Sequence, residues 1–295
     1  MLPRFAVHAM GTRFEVVVDD GDLVRARAAA EGALERIEEC DARLSAFRSD
    51  ALIARANREA FARPVKLDPE TFELLEACQR LRDDTRGAFD VSVGGFLRAH
   101  GFHPPLAPIA GAPSSGFQLD RTARTVRFAS AGTRLDLGGI GKGHALHLAA
   151  DALREAGVEK ALLHGGTSSV LALGAWRVAV GACVLELRDA ALSVSSTSGR
   201  ARAGRGHLID PRDGRALPTG TTCAVVARSP RLAEAWSTAL CVLDARGELD
   251  GAIEAALVAV GATARRASVD DPDSARVFGA FPELFTSAHA ALTLP

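Results

Sequence analysis

The sequence has little of what marks a nucleic-acid-binding or membrane protein. Its 35 Lys and Arg residues nearly balance its 36 Asp and Glu residues, so it lacks the basic excess of a nucleic-acid or anionic-membrane binder. No run approaches the ~20 apolar residues of a transmembrane helix, and the N-terminus MLPRFAVHAM has no signal-peptide core. We expect a cytoplasmic protein that binds small molecules or proteins, with no nucleic acid and no membrane. An export signal upstream of these residues stays open.

Cysteine and tyrosine are also scarce. The five cysteines are widely scattered, without the close spacing of zinc or redox motifs: Cys40, Cys78, Cys183, Cys223 and Cys241. We expect most of them to be small buried hydrophobes. Tyrosine is absent, which we attribute to genomic bias because Ala and Arg are abundant. The sequence contains no G-x-S-x-G or H-E-x-x-H motif, so it lacks the signatures of α/β-hydrolases and zinc proteases.

Strand-like and helix-like patterns follow one another without strict β-α-β alternation. The predicted elements are a strand at 12–18, helices at Leu23–Phe47 and Pro69–Asp84, a surface loop at 101–116, a hairpin at 117–129 and helices from Leu232 and Glu248. This irregular order favours an α+β fold over a doubly wound sheet. We expect one mixed domain, 1–295, of antiparallel sheet and packed helices.

A glycine-rich stretch with one lysine opens a predicted helix at Leu135–Gly157. Apolar residues at helical spacing begin at Leu146, which places Lys142 and Gly143 at the helix N-terminus. Glycine N–H groups, a helix N-terminus and a lysine together favour a bound anion such as phosphate. The stretch is neither a Walker loop nor a dinucleotide fingerprint. The alternative is a tight turn packed against the sheet, with Lys142 solvated.

Two further segments carry residues suited to catalysis. In GRGHLIDPRDG, His207 could accept a proton at neutral pH; the alternative is a loop histidine beside a structural Asp210 turn. In SPRLAEAWSTAL, Ser229 as N-cap and Pro230 at the first helical position predict a helix start. This helix places Glu234 and Thr238 on one face, where they suit a hard cation such as Mg²⁺. The alternative there is a surface pair between Glu234 and Arg231.

Eight blocks in order carry a resemblance to a known family: AMGTRFEV, LSAFRSDALIARAN, GAFDVSVGGFL, LDLGGIGKGHA, HGGTSSVLALG, SVSSTSGR, HLIDPRDG and AEAWSTAL. From about Met10 to Val242, this series resembles the FAD:protein FMN transferase (ApbE) family. The resemblance implies an enzyme that uses Mg²⁺ to split FAD, releases AMP and attaches FMN to a Ser or Thr hydroxyl of a target protein. It implies FAD as substrate, in a cleft beside the Gly138–Gly143 loop.

The resemblance also implies roles for individual residues. His207 is the implied general base. The implied metal ligands are the carbonyl of Gly139 and the side chains of Glu234 and Thr238. The implied FAD contacts are Met10, Phe47, Ala88, Phe89, Asp90, Asp136, Lys142 and Leu208.

The sequence departs from the family pattern at several of its motifs. The family usually has Asp at Glu234, Ala at Gly139, Tyr at His144, Asp at His147, Thr at Ser92 and an acid at Thr167. Two alternative functions therefore stay open: a pyrophosphatase that cleaves FAD to FMN and AMP, and a non-catalytic FAD-binding protein. Family targets look like D-[GA]-x-[ST]-G-A-[ST]. Because no Ser or Thr here precedes Gly-Ala, we expect a separate acceptor protein.

Overall fold

The computed structural model describes residues 2–103, 111–180, 183–199, 205–269 and 275–283, and short strands at 285–286 and 292–293. The helices are α1 (Leu23–Leu44), α2 (Leu52–Glu59), α3 (Pro69–Asp84), α4 (Gly94–Ala99), α5 (Gly141–Glu155), α6 (Pro230–Ala245) and α7 (Gly251–Ala259). The strands are β1 (Arg4–Ala9), β2 (Thr12–Val18), β3 (Val65–Lys66), β4 (Phe117–Asp120), β5 (Thr125–Phe128), β6 (Ala161–Gly165), β7 (Ser169–Leu173), β8 (Ala175–Val180), β9 (Cys183–Arg188), β10 (Ala191–Ser196), β11 (Arg205–Ile209), β12 (Ala216–Pro218), β13 (Thr221–Ala227), β14 (Thr263–Ser268), β15 (Arg276–Phe278), β16 (Phe285–Thr286) and β17 (Leu292–Thr293).

An eight-stranded sheet is the largest layer, in the order β1-β2-β6-β7-β10-β13-β14-β15, and each neighbouring pair is antiparallel. Smaller sheets have the orders β16-β9-β8-β17, β3-β5-β4 and β11-β12. The predicted α+β class with antiparallel sheet and packed helices is therefore confirmed, as is the hairpin at 117–129, which forms β4 and β5. Residues 104–110 of the predicted surface loop lie outside the described residues.

The large sheet is buried on both faces. Val16 and Val18 of β2 join the core that contains α1, α5 and α6, whereas Val17 points to a second core with Trp176 of β8 and Leu187 of β9. This sorting follows from the two-residue period of a strand. The long apolar runs in β2 and β6 are therefore strands that are covered on both sides. Helices α5 and α6 lie in the layer that covers the first of these faces.

Side-chain caps set the helix ends. Ser229 caps α6 and Pro230 is its first residue, as predicted. The helix predicted to run to Phe47 ends at Leu44, because Ser45 takes an extended conformation and its Oγ accepts the N–H groups of Phe47 and Arg48. The helix expected from Glu248 begins at Gly251, because the Asp250 side chain caps its first turn.

The described cysteine side chains are buried, as predicted for most of them: Cys40, Cys78, Cys223 and Cys241. The side chain of Cys183 lies outside the described residues. None of the helices in the described ranges is long and apolar enough to cross a membrane.

Candidate active site

The loop before α5 is the meeting point of three segments that are remote in sequence. A Cβ built on Gly139 would lie 3.4 Å from Cε2 of Phe89 and 3.5 Å from Oγ1 of Thr238. A Cβ built on Gly141 would lie 3.8 Å from Sδ of Met10, in the tight turn between β1 and β2. Met10 has a φ of 51°, a backbone conformation that costs a non-glycine residue energy and that the two-residue hairpin turn imposes. Packing thus brings several of the predicted FAD and metal residues together.

The N-terminus of α5 contacts an anionic group of the chain itself, the carboxylate of Glu234. The Gly143 N–H donates to Oε2 of Glu234 over 2.6 Å, and the Ser169 hydroxyl donates to Oε1 over 2.8 Å. The Lys142 ammonium forms an ion pair with the same Oε1. Glu234 is 3% exposed, so the alternative of a surface pair with Arg231 is wrong.

The glycine at 143 is required by helix packing. A Cβ there would lie 2.4 Å from the carbonyl oxygen of Pro230, at the start of α6. The first residue before α5, Ile140, offers no side-chain cap, so the Glu234 carboxylate takes the capping role from the neighbouring helix. The contact between the two helix starts therefore positions both Lys142 and Glu234.

The three predicted metal ligands lie close together, but the carboxylate among them does not fit a metal ion. Thr238 Oγ1 lies 3.3 Å from the hydroxyl oxygen of Ser195, beside Gly139. Glu234, one helical turn away, already accepts from Gly143, Ser169 and Lys142. A divalent cation on this carboxylate would have to take the place of the lysine ammonium. In the described residues, no group of three or more His, Cys, Asp or Glu side chains could hold a metal ion.

A second part of the site includes a residue that the sequence analysis missed. The His103 ring packs edge-on against Phe47, with ring centroids 5.1 Å apart, and its Nε2 lies 2.8 Å from Oδ2 of Asp136. The other oxygen of Asp136 accepts the N–H of Gly138. His103 thus connects two predicted FAD contacts. It lies in a Pro- and Gly-rich segment without periodicity, so no sequence signal relates it to either partner.

The segment 88–90 is buried beside the loop. Ala88 and Phe89 are 1% and 2% exposed, and Phe89 contacts Gly139 as described above. Asp90 accepts the N–H and the hydroxyl of Ser92, and its second oxygen lies 3.1 Å from Nε of Arg82. The contacts with Ser92 fix the turn that places Phe89. The buried Oδ2 has Arg82 as an ion-pair partner but accepts no hydrogen bond from the described residues.

His207 and Leu208 lie on β11, half-buried, and Leu208 packs against the main core. The turn that follows is rigid because Asp210 accepts from Arg212 and, over 2.7 Å, from Arg246 at the end of α6. Burial opposes ionisation of Asp210, but these hydrogen bonds lower the pKa of its carboxyl below the usual value. The structural role considered for Asp210 is thus observed, and it fixes the strand that carries His207.

The ApbE family model matches residues 10–258, and the chain therefore belongs to the ApbE family. The expected resemblance is confirmed. Among its relatives is the FAD:protein FMN transferase of Rhodobacter capsulatus, 34% identical over 230 residues, which are 68% of this chain and 43% of that protein. The chain thus spans less than half the length of that relative. The enzyme of the same name from Salmonella typhimurium is 26% identical over 267 residues, covering 79% of this chain and 76% of that protein.

Solved structures with the same fold carry the family name. The ApbE protein of Thermotoga maritima superimposes with a TM-score of 0.81 at 22% identity, over 94% of this chain and 96% of that one. Flavin transferase ApbE from Vibrio cholerae gives a TM-score of 0.78 at 20% identity, over 95% and 99% of the two chains. At this level of identity the comparison establishes the shared α+β fold.

Proposed function

We propose that this chain is a FAD:protein FMN transferase: it transfers FMN from FAD to a Ser or Thr hydroxyl of a separate acceptor protein and releases AMP. The observation that carries the proposal is the meeting of Met10, Phe89 and Thr238 around one glycine loop, in a chain that matches the ApbE family over residues 10–258. The names of the curated relatives support the same activity. One domain over 1–295 and a cytoplasmic location stay predictions.

FAD is proposed to lie beside the Gly138–Gly143 loop. The Lys142 ammonium, which is 22% exposed beside its Glu234 partner, is the cation proposed to contact the pyrophosphate. The half-exposed Phe47, held edge-on by His103, presents a ring face suited to one of the two planar ring systems of FAD. The other proposed contacts are Met10, Ala88, Phe89, Asp90, Asp136 and Leu208, of which Asp90 acts through the turn that it fixes.

The proposed chemistry is a single phosphoryl transfer. The acceptor hydroxyl oxygen attacks the phosphorus on the FMN side of the pyrophosphate and forms a new phosphoester bond. The bond from that phosphorus to the bridging oxygen breaks, and AMP leaves with this oxygen. His207 accepts the hydroxyl proton, and the anchored Asp210 turn holds its strand in place. Most of the catalytic effect in such transfers comes from positioning and from charge around the phosphate oxygens.

The family resemblance implies a Mg²⁺ requirement, which the comparison of MgCl₂ with EDTA below tests. Gly139 and Thr238 lie together, but the Glu234 carboxylate is engaged by Lys142, Ser169 and Gly143, so the proposed transfer includes no step on the ion.

The test is product analysis by mass spectrometry. The protein is incubated with FAD and an acceptor domain that carries a D-[GA]-x-[ST]-G-A-[ST] sequence, with MgCl₂ or with EDTA. We expect an FMN-sized mass increment on the acceptor, release of AMP, and no increment on this chain. An acceptor with its target hydroxyl residue replaced by Ala is the control. Free FMN with AMP would indicate a pyrophosphatase, and unchanged FAD a binding protein; either result would overturn the proposal.

A further inference from the structure

The Glu234 carboxylate already has three donors, and one of them is a cation. Oε1 accepts from the Ser169 hydroxyl and pairs with Lys142, and Oε2 accepts from the Gly143 N–H. The side chain of Glu234 is 4% exposed and that of Lys142 is 22% exposed, so the pair is largely shielded from water. Three donors from α5 and β7 thus converge on one buried side chain of α6.

The length of the glutamate side chain explains how it reaches these donors. The family pattern usually has Asp at this position, and a glutamate carboxylate extends one methylene further from the α6 backbone. That extension carries it to the first turn of α5, where two of its donors belong to consecutive residues, Lys142 and Gly143. A buried carboxylate is stable as an ion only when such partners compensate its charge.

A divalent ion on this carboxylate would be close to the Lys142 ammonium. Both charges are positive, and their repulsion in a shielded site is much stronger than in water. Mg²⁺ also demands near-octahedral oxygen geometry at short distance, which leaves no room for an ammonium on the same carboxylate oxygen. Lysine and metal therefore compete for Glu234.

We infer that Glu234 is a positioning residue that fixes Lys142 and caps α5, and that the Lys142 ammonium is the resident cation of this site in place of a divalent metal. The statement that this ammonium then faces the FAD pyrophosphate rests on the proposed function. The pairing itself does not, because it exists between residues of the chain alone.

A metal titration tests the inference without FAD. MgCl₂ is titrated calorimetrically into chelator-treated, FAD-free protein, in parallel with Thr238→Ala. We expect no saturable binding at millimolar MgCl₂ and the same trace for both proteins. Stoichiometric binding that is lost in Thr238→Ala would overturn the inference, and this result is independent of whether the chain transfers FMN.

The stability of metal-free variants gives a second test, in which the sign of the change in melting temperature distinguishes a metal ligand from a partner of Lys142. If Glu234 were an empty metal ligand, Glu234→Gln would remove an uncompensated buried charge and leave the melting temperature unchanged or higher. If Glu234 holds Lys142, the same change leaves the lysine without its partner, and the melting temperature falls by several degrees. Glu38→Gln, at an exposed position of α1, is the matched control and should leave it unchanged.

A double-mutant cycle covers the case in which Glu234→Gln folds poorly. The variants Lys142→Met and Lys142→Met/Glu234→Gln complete the cycle. If the two residues are paired, the double variant should lose less unfolding free energy than the sum of the losses in the two single variants. Additive effects would overturn the inference. Glu234→Asp should lower the melting temperature and gain no affinity for Mg²⁺; a gain in Mg²⁺ affinity at unchanged stability would also overturn it.

Discussion

Nε2 of His103 lies 2.8 Å from Oδ2 of Asp136, although no motif connects the two residues. The same imidazole packs at 85° against the Phe47 ring. Asp136 therefore orients His103, and His103 in turn supports Phe47, which is 50% exposed. This chain of contacts joins an aromatic surface to the beginning of the glycine loop.

His103→Ala should weaken FAD binding by roughly 2- to 10-fold, because it removes an edge-to-face ring contact of ~0.5–1.5 kcal/mol that holds Phe47. Fluorescence titration of FAD measures the effect. His8→Ala, at an exposed position of β1, is the control and should bind FAD like the parent protein. An unchanged dissociation constant in His103→Ala would remove this ring from the proposed binding site.

His207→Ala should retain FAD binding but slow FMN transfer by roughly 100-fold or more, because the acceptor hydroxyl would lose its general base. Transfer rates at saturating FAD, read by mass spectrometry of the acceptor, give the measurement. Equal rates in the variant and the parent protein would exclude a role for His207 in proton transfer, whereas loss of FAD binding would indicate a structural role.

Gly143→Ala should destabilise the protein by about 1–3 kcal/mol, because the new methyl group would overlap the Pro230 carbonyl at the contact between α5 and α6. Urea unfolding measures the change. Gly32→Ala is the matched control, since it lies within α1 with open space around its Cβ position, and it should stabilise by ~0.5–1 kcal/mol. Equal stability of the two variants would contradict the close packing of the helix starts.

His164 should make the protein less stable in mild acid. Burial, followed by the charge of Arg4, lowers the pKa of His164 to about 4. The unfolded chain therefore binds a proton below its pKa of ~6.5, while the folded protein does so only below about 4. The free energy of unfolding is therefore unaffected by His164 above pH ~6.5, and it decreases as the pH falls from ~6.5 towards the folded-state pKa of about 4.

The expected loss from His164 alone is about 2 kcal/mol between pH ~7 and pH ~5. Unfolding free energies of the parent protein and His164→Leu at the two pH values measure it, and the variant should show a smaller difference. Identical pH dependence in both proteins would show that the folded His164 titrates like an exposed histidine.

Local chemistry in the sequence determined much of the fold. Ser229 and Pro230 start α6 where predicted, and Gly157, with a φ of 78°, follows the end of α5. These signals act over a few residues, so they are readable without tertiary structure. The predicted end of α1 and the predicted start of α7 were wrong, because they were taken from the apolar pattern. The observed boundaries are set by Ser45, the C-cap of α1, and by Asp250, the N-cap of α7.

The sequence also determined that α5 begins with an anion-binding turn, since glycine N–H groups, a helix N-terminus and Lys142 are adjacent in the chain. Only the tertiary structure decided which anion occupies it. Glu234 reaches that turn because Gly143 lets the starts of α5 and α6 approach within van der Waals distance. Such a contact depends on the relative placement of two helices and on the length of one side chain. Periodicity and spacing carry no information about that placement, and the same reason accounts for the contact between His103 and Asp136.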